Sequence, residues 1–98
     1  MTVEEFMAAV TLFKLPEQVT LRELKARHRE LVRKYHPDGH GVDDATIRDI
    51  NAAYTLLSGY CAEYKYRFSA AEFLEQYPEE RLRQQFGWDP VWGGAEPD

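Results

Sequence analysis

The segment Lys34–Gly41, which reads KYHPDGHG, places two imidazoles and a carboxylate within five residues. His36, Asp38 and His40 are residue types that bind zinc or act as general acids and bases. A zinc site needs three or four ligands, and the third histidine, His28, falls on the apolar side of a predicted helix. The nearby aspartates also lack the spacing and closing glutamate of a calcium loop. The sequence therefore predicts no metal, no cofactor and no catalytic residue here.

Pro37 stands between His36 and Asp38, directly after a basic helical pattern. A proline lacks the backbone donor and disfavours the α conformation in the residue before it, so the helix should end near Tyr35. A helix stop requires only a glycine or a proline. The flanking histidine and aspartate therefore indicate a role beyond ending the helix.

The composition is that of one small globular domain. The chain has 98 residues, 44% hydrophobic and 30% charged, and no apolar run approaches the roughly 20 residues of a membrane helix. The acidic N-terminal segment lacks the basic region of a secretory signal. Cys61 is the single cysteine and cannot form an internal disulfide, which favours a reducing, cytoplasmic location.

Three helices are predicted in the first 58 residues. Capping boxes at residues 2–5 (TVEE) and 20–23 (TLRE) begin the first two helices, and Pro16 ends the first or follows it. The third helix should run from about Asp44 to Ser58, with Gly59 just beyond its end. Because each helix carries one apolar face and the connection is short, helices two and three should form an antiparallel hairpin. The expected fold is a small all-α domain.

The C-terminal third has a weaker pattern. Residues 62–68 alternate at strand period but lack a partner strand, so an extended or irregularly helical segment is expected. Short helices should begin at residues 69–72 (SAAE) and at Pro78. Residues 1–68 are thus predicted as one domain, with 69–98 an extension packed on or tethered to it. Its Trp88 and Trp92 either cap the core or form a docking tag.

The second helix carries half of the chain's basic residues, although the net charge is −5. Two pairs, Glu23–Arg27 and Glu30–Lys34, have a favourable i, i+4 spacing and should neutralise each other. The remaining four basic residues share another face, which we call the basic stripe and expect to bind a partner: Arg22, Lys25, Arg29 and Arg33.

The segment LRELKARHRELVRKYHPDGHGVDDATIRDINAAYTLLS resembles the J domain of the DnaJ co-chaperones. The similar features are a basic helix ending in YHPD, a loop, and a helix that reads I-x-x-I-N-x-A-Y-x-x-L. The resemblance covers about residues 6–58. The tripeptide His36-Pro37-Asp38 is weak evidence alone, but its place between these two helices makes it specific.

The resemblance implies a co-chaperone that binds a DnaK-type heat-shock ATPase and stimulates its ATP hydrolysis without performing chemistry itself. Asp38 would then bind a basic residue of the partner, and His36 and Pro37 would shape the loop. The acidic surface of the partner would face these basic residues: Lys25, Arg29, Lys34, Arg22 and Arg33. A client or second protein could bind residues 69–98. No nucleic acid and no membrane is expected.

The chain also departs from the usual J-domain pattern. His28 stands where many J domains have a tyrosine, Glu30 replaces a basic residue, and Gly39 replaces a common lysine. These departures imply a thinner positive face. Residues 59–69, GYCAEYKYRFS, do not match the pattern of the family's fourth helix.

Two alternatives use the same elements. A basic helix that follows another helix also suits a helix-turn-helix protein, but the acidic chain, with a pI near 5.2, opposes binding to phosphate. The other alternative is a J-like adaptor that binds another protein and does not stimulate an ATPase. The complete His36-Pro37-Asp38 tripeptide favours the co-chaperone.

Overall fold

The computed structural model describes residues 1–36 and 44–86, which contain five helices and no strand. The prediction of an all-α fold is confirmed. The helices, in chain order, are α1 (Val3–Phe13), α2 (Leu21–Lys34), α3 (Asp44–Glu63), α4 (Ala70–Gln76) and α5 (Pro78–Phe86). No helix in these two ranges is both long enough and apolar enough to cross a membrane.

Both predicted capping boxes at the start of the chain are confirmed. Thr2 Oγ1 accepts the Glu5 backbone N–H at 3.1 Å, and the Glu5 carboxylate accepts the Thr2 N–H at 3.0 Å. At α2 the equivalent bonds join Thr20 and Glu23, at 3.0 Å and 2.7 Å. These bonds satisfy backbone donors that a helix start leaves unpaired, and so they fix where α1 and α2 begin.

The end of α1 requires a left-handed residue, and that residue is a lysine. Lys14 has φ 52° and ψ 48°, the one positive φ of a non-glycine residue in the described chain. Its N–H donates to Thr11 O at 3.0 Å, and the Leu15 N–H donates to Val10 O at 3.1 Å. This bond pattern closes the helix, but it costs a residue with a Cβ about 1 kcal/mol relative to glycine.

The core lies among α1, α2 and α3. Phe13 is fully buried and Ile50 is 1% exposed, so both are shielded from water. Seven of the described residues are buried: Ala9, Phe13, Leu24, Leu31, Ile50, Ala53 and Leu57. With so few buried side chains, the placement of α2 depends on each of them.

Helices α2 and α3 pack as the predicted antiparallel hairpin. His28, in the middle of α2, contacts Asn51 and Tyr54, whereas the C-terminal end of α2 shares a groove with Thr46 and Ile50. Residues later in α2 therefore contact residues earlier in α3, as in an antiparallel pair. The end of α2 and the start of α3 accordingly lie at the same end of the hairpin.

The prediction that α3 ends at Ser58 is wrong, since the helix continues through Gly59 to Glu63. Tertiary packing accounts for the extra turn. The Tyr60 ring lies 4.7 Å from the Phe6 ring of α1, between centroids, and Cys61 packs half-buried against the core. These contacts outweigh the low helix propensity of glycine.

The chain divides into two compact units between Tyr64 and Lys65. The predicted boundary between residues 68 and 69 stays a prediction. Residues 64–68 are irregular, and the strand-like alternation there produces no strand. The Ser69 side chain accepts the Glu72 N–H at 3.1 Å and caps α4, and Pro78 is the first residue of α5, as predicted.

The second unit, in its described part, has no buried residue. Its polar contacts are local. Arg81 binds Glu75 at 2.5 Å, and the Arg83 guanidinium donates to the Glu80 carboxylate and lowers the pKa of that group. Leu74 is partly buried, and the other large apolar side chains of residues 65–86 are at least half exposed: Tyr66, Phe68, Phe73, Tyr77, Leu82 and Phe86. Trp88 and Trp92 lie outside the described residues.

We expect the Gly59→Ala substitution to stabilise the domain. A Cβ at this position would meet no atom within 4 Å, and the surrounding backbone is helical. The gain should be about 0.5–1 kcal/mol, which raises Tm by about 2–8 °C in thermal unfolding followed by circular dichroism. Ala52→Gly, at an exposed position of α3, is the matched control and should lower Tm. An unchanged or lower Tm for Gly59→Ala would contradict this account.

Candidate partner-binding surface

The basic stripe is an exposed row on α2. Arg22, Lys25 and Arg29 line one shallow groove together with Leu21, and Arg33 continues the row one turn further on. Within residues 1–36 and 44–86 none of the four basic side chains has an ion pair or a hydrogen bond. The predicted role of these four residues in binding a partner stays a prediction. Like charges held side by side favour an acidic partner.

The other two basic residues of α2 behave differently from their predicted pairs. Glu23 caps the helix start and does not pair with Arg27. Arg27 instead binds Glu30, with 2.8 Å between Nη1 and Oε1. Lys34 places its Nζ over the Tyr35 ring, 5.3 Å from the centroid, and forms no ion pair with Glu30 in the described structure. Both predicted i, i+4 pairs are thus wrong, because each glutamate binds another group.

Arg27 also has a structural role that its sequence position does not reveal. Its Nε donates to the backbone carbonyl of Phe13 at 2.8 Å, at the C-terminal end of α1. A helix leaves its last carbonyls without partners inside the helix, and a cation there is favourable. Arg27 therefore joins α2 to α1. In the sequence, the one sign that Arg27 differs from the residues of the basic stripe is its position on another face of the helical wheel.

His28 is a packing residue, as predicted. It is half-buried, and its ring stacks on Tyr54 at 3.9 Å between centroids. Its Nε2 lies 3.0 Å from Asn51 Oδ1, within hydrogen-bond distance. The ring is also parallel to that of Phe13, at 6.3 Å. His28 thus connects α2 to α3 and sets the rotation of α2, which directs the basic stripe away from the core.

The end of α2 presents His36. Tyr35 closes the helix with its N–H donated to Leu31 O at 2.9 Å, which confirms the predicted end, and His36 follows as an exposed residue. Pro37 and Asp38 lie outside the described residues, as do Gly39 and His40. The structure thus brings three of the predicted partner-binding residues into one groove and continues the row to Arg33, while Lys34 lies on another flank of α2.

No group of three histidine, cysteine or carboxylate side chains is close enough to hold a metal ion within residues 1–36 and 44–86.

The chain is similar to two curated proteins. The DnaJ-like protein MG002 homolog of Mycoplasma pneumoniae is 33% identical over 98 aligned residues, which cover 85% of this chain and 31% of that protein. DnaJ-like protein MG002 of Mycoplasma genitalium is 34% identical over 55 residues, which cover 56% of this chain and 18% of that protein. The chain thus spans less than a third of the length of these relatives.

No family model and no solved structure matches the chain. The two relatives and the all-helical fold together support the J-domain family for this chain.

We expect Arg27 and Arg29, which differ by two positions, to differ in their effect on stability. Arg27→Ala removes the bond to Phe13 O and the ion pair with Glu30, and should cost about 1–2 kcal/mol. Arg29→Ala removes an exposed side chain that has no ion pair or hydrogen bond among the described residues, and should change stability by less than about 0.5 kcal/mol. Urea unfolding followed by circular dichroism measures both. Equal effects of the two substitutions would contradict the structural role of Arg27.

Proposed function

We propose that this chain is a J-domain co-chaperone that binds a DnaK-type ATPase and stimulates its ATP hydrolysis. The observation that carries the proposal is the row of cations on α2 that have no partner among the described residues and that leads towards His36. The sequence continues from His36 into Pro37 and Asp38. The same helix thus supplies both a charged docking face and the tripeptide at its end.

The basic stripe would act first on the encounter with a partner. The stripe concentrates four positive charges on an acidic chain, so an acidic partner surface would be attracted to this one face. Exposed ion pairs contribute little each, so the stripe should act mainly on the association rate and on orientation. Specific binding then requires a further contact. Asp38 is suited to it, because a carboxylate can accept two hydrogen bonds from an arginine of the partner.

The packing of α2 in the domain keeps the basic stripe in a fixed orientation. α2 is fixed by Leu24 and Leu31 in the core, by the His28 stack on Tyr54 and by the Arg27 bond to Phe13. A rigid helix loses little conformational entropy on binding, so the four cations of the stripe can engage one surface together. In this proposal the partner performs the chemistry, and the chain acts as a binding module rather than as an enzyme.

A second candidate function is a J-like adaptor that binds a protein without stimulating an ATPase. The exposed aromatic side chains of the second unit favour a further protein contact there, for a client or another partner. Phe73 and Tyr77 stack at 4.6 Å between centroids, and both are at least half exposed. Exposed aromatic groups of this kind are frequent at protein interfaces. The two functions differ in whether ATP turnover changes.

The first test is single-turnover ATP hydrolysis by a DnaK-type chaperone, with and without this protein. We expect stimulation by the wild type and its loss in His36→Gln, because the substitution changes the tripeptide without altering α2. Circular dichroism should show an unchanged fold in the variant. Absence of stimulation with several chaperones, from a folded protein, would contradict the co-chaperone function and favour the adaptor.

The second test concerns the stripe. We expect the double variant Lys25→Ala, Arg29→Ala to slow association with the chaperone by about tenfold at low salt, because the steering charges are removed. The difference from wild type should shrink between about 50 and 300 mM salt as the charges are screened. Lys65→Ala, an exposed lysine outside the stripe, is the matched control. An identical effect of both changes would argue against the stripe as the docking face.

A further inference from the structure

A second groove lies on the flank of α2 opposite the basic stripe, among α1, α2 and α3. Three cationic side chains border it: Lys14 from the end of α1, and Arg27 and Lys34 from α2. None of the described residues that line it is acidic. On a chain with a net charge of −5, this is a locally positive concave surface.

The inner part of this groove is apolar. Leu31 and Ile50 are core residues with 5% and 1% exposure, and Leu12 borders them with 39% exposure. Tyr35 contributes a half-buried ring. An apolar floor with a cationic rim suits a ligand that carries an apolar side chain between carboxylates.

The cations at the rim differ in how they are held. The Arg27 guanidinium is fixed by Phe13 O and Glu30, which use Nε and Nη1, so its Nη2 has no partner among the described residues. Lys14 and Lys34 have no ion pair in the described chain. One pre-oriented guanidinium and two ammonium groups without an ion pair in the described chain line the same groove, and such a set of cations attracts carboxylates.

Lys14 supplies an independent observation. It occupies a left-handed backbone position that favours glycine, with φ 52°, and it is the one non-glycine residue with positive φ in the described chain. Strained residues are frequent where the side chain is used for binding. The amine at the groove rim gives this lysine a use that glycine could not provide.

We propose that this groove binds an acidic peptide segment of a partner protein, with an apolar side chain on the floor and flanking carboxylates at the rim. Leu12, Leu31 and Ile50 receive the apolar side chain, while Lys14, Arg27 and Lys34 bind the carboxylates. The site differs from the basic stripe in its concave apolar floor.

Fluorescence polarisation with two labelled hexapeptides tests the proposal on the full chain. The probe DELWED carries carboxylates around two apolar residues, and KKLWKK keeps the apolar pair with the opposite charge. We expect DELWED to bind with a dissociation constant below about 1 mM and KKLWKK to bind at least tenfold more weakly. Failure of DELWED to bind at that concentration, or equal binding of both peptides, would overturn the proposal.

Lys14→Gly separates binding from folding. Glycine relieves the left-handed strain, so the variant should unfold at a higher temperature than wild type. We nevertheless expect it to bind DELWED about threefold to tenfold more weakly, since one rim charge is lost. Wild-type affinity in this more stable variant would overturn the assignment of Lys14.

A second variant, Leu12→Asp, tests the floor. It places a carboxylate at an exposed position of α1 that borders the groove, and should reduce DELWED binding by at least tenfold. Lys65→Ala, which removes an exposed charge elsewhere, is the control and should bind DELWED as the wild type does. Unchanged binding in Leu12→Asp would place the peptide outside this groove and overturn the proposal.

Discussion

The burial of Phe13 among α1, α2 and α3 is the constraint on which the first unit depends. Its ring is fully buried, and its carbonyl accepts the bond from Arg27 that joins α1 to α2. Because only seven residues are buried within residues 1–36 and 44–86, a change at Phe13 would remove a large share of this core. The position of α2 follows from this packing, and with it the direction of every charge on α2.

The basic residues of α2 therefore fall into two groups, which differ in whether they bind another group within the domain. Arg27 faces α1, and it is held by a carbonyl and a carboxylate. Arg22, Lys25 and Arg29 line an open groove and have no ion pair in the described residues. The net charge of the chain, −5, does not reveal that one face of α2 is positive. The local field at each face, rather than the total charge, determines what can bind there.

Much of the fold was predictable from local chemistry. The capping boxes at Thr2 and Thr20 and the apolar periodicity depend on neighbouring residues, and the structure contains both helix starts where they were predicted. Two errors had a common origin. α3 passes Gly59 because Tyr60 packs on Phe6, and Arg27 turns towards Phe13. Both contacts join residues distant in sequence, which helical spacing cannot represent.

The same limit applies to the candidate sites. A helical wheel identified the basic stripe because all its members lie on one helix. The second groove instead combines Lys14, which follows α1, with Lys34 of α2 and Ile50 of α3. The left-handed conformation of Lys14 could not be predicted from the sequence either, because such a position favours glycine and not lysine. A glycine there would have given a simpler helix end and no amine. Lys14 thus adopts a conformation that costs a residue with a Cβ about 1 kcal/mol, and in the proposed site its amine binds a carboxylate at the groove rim.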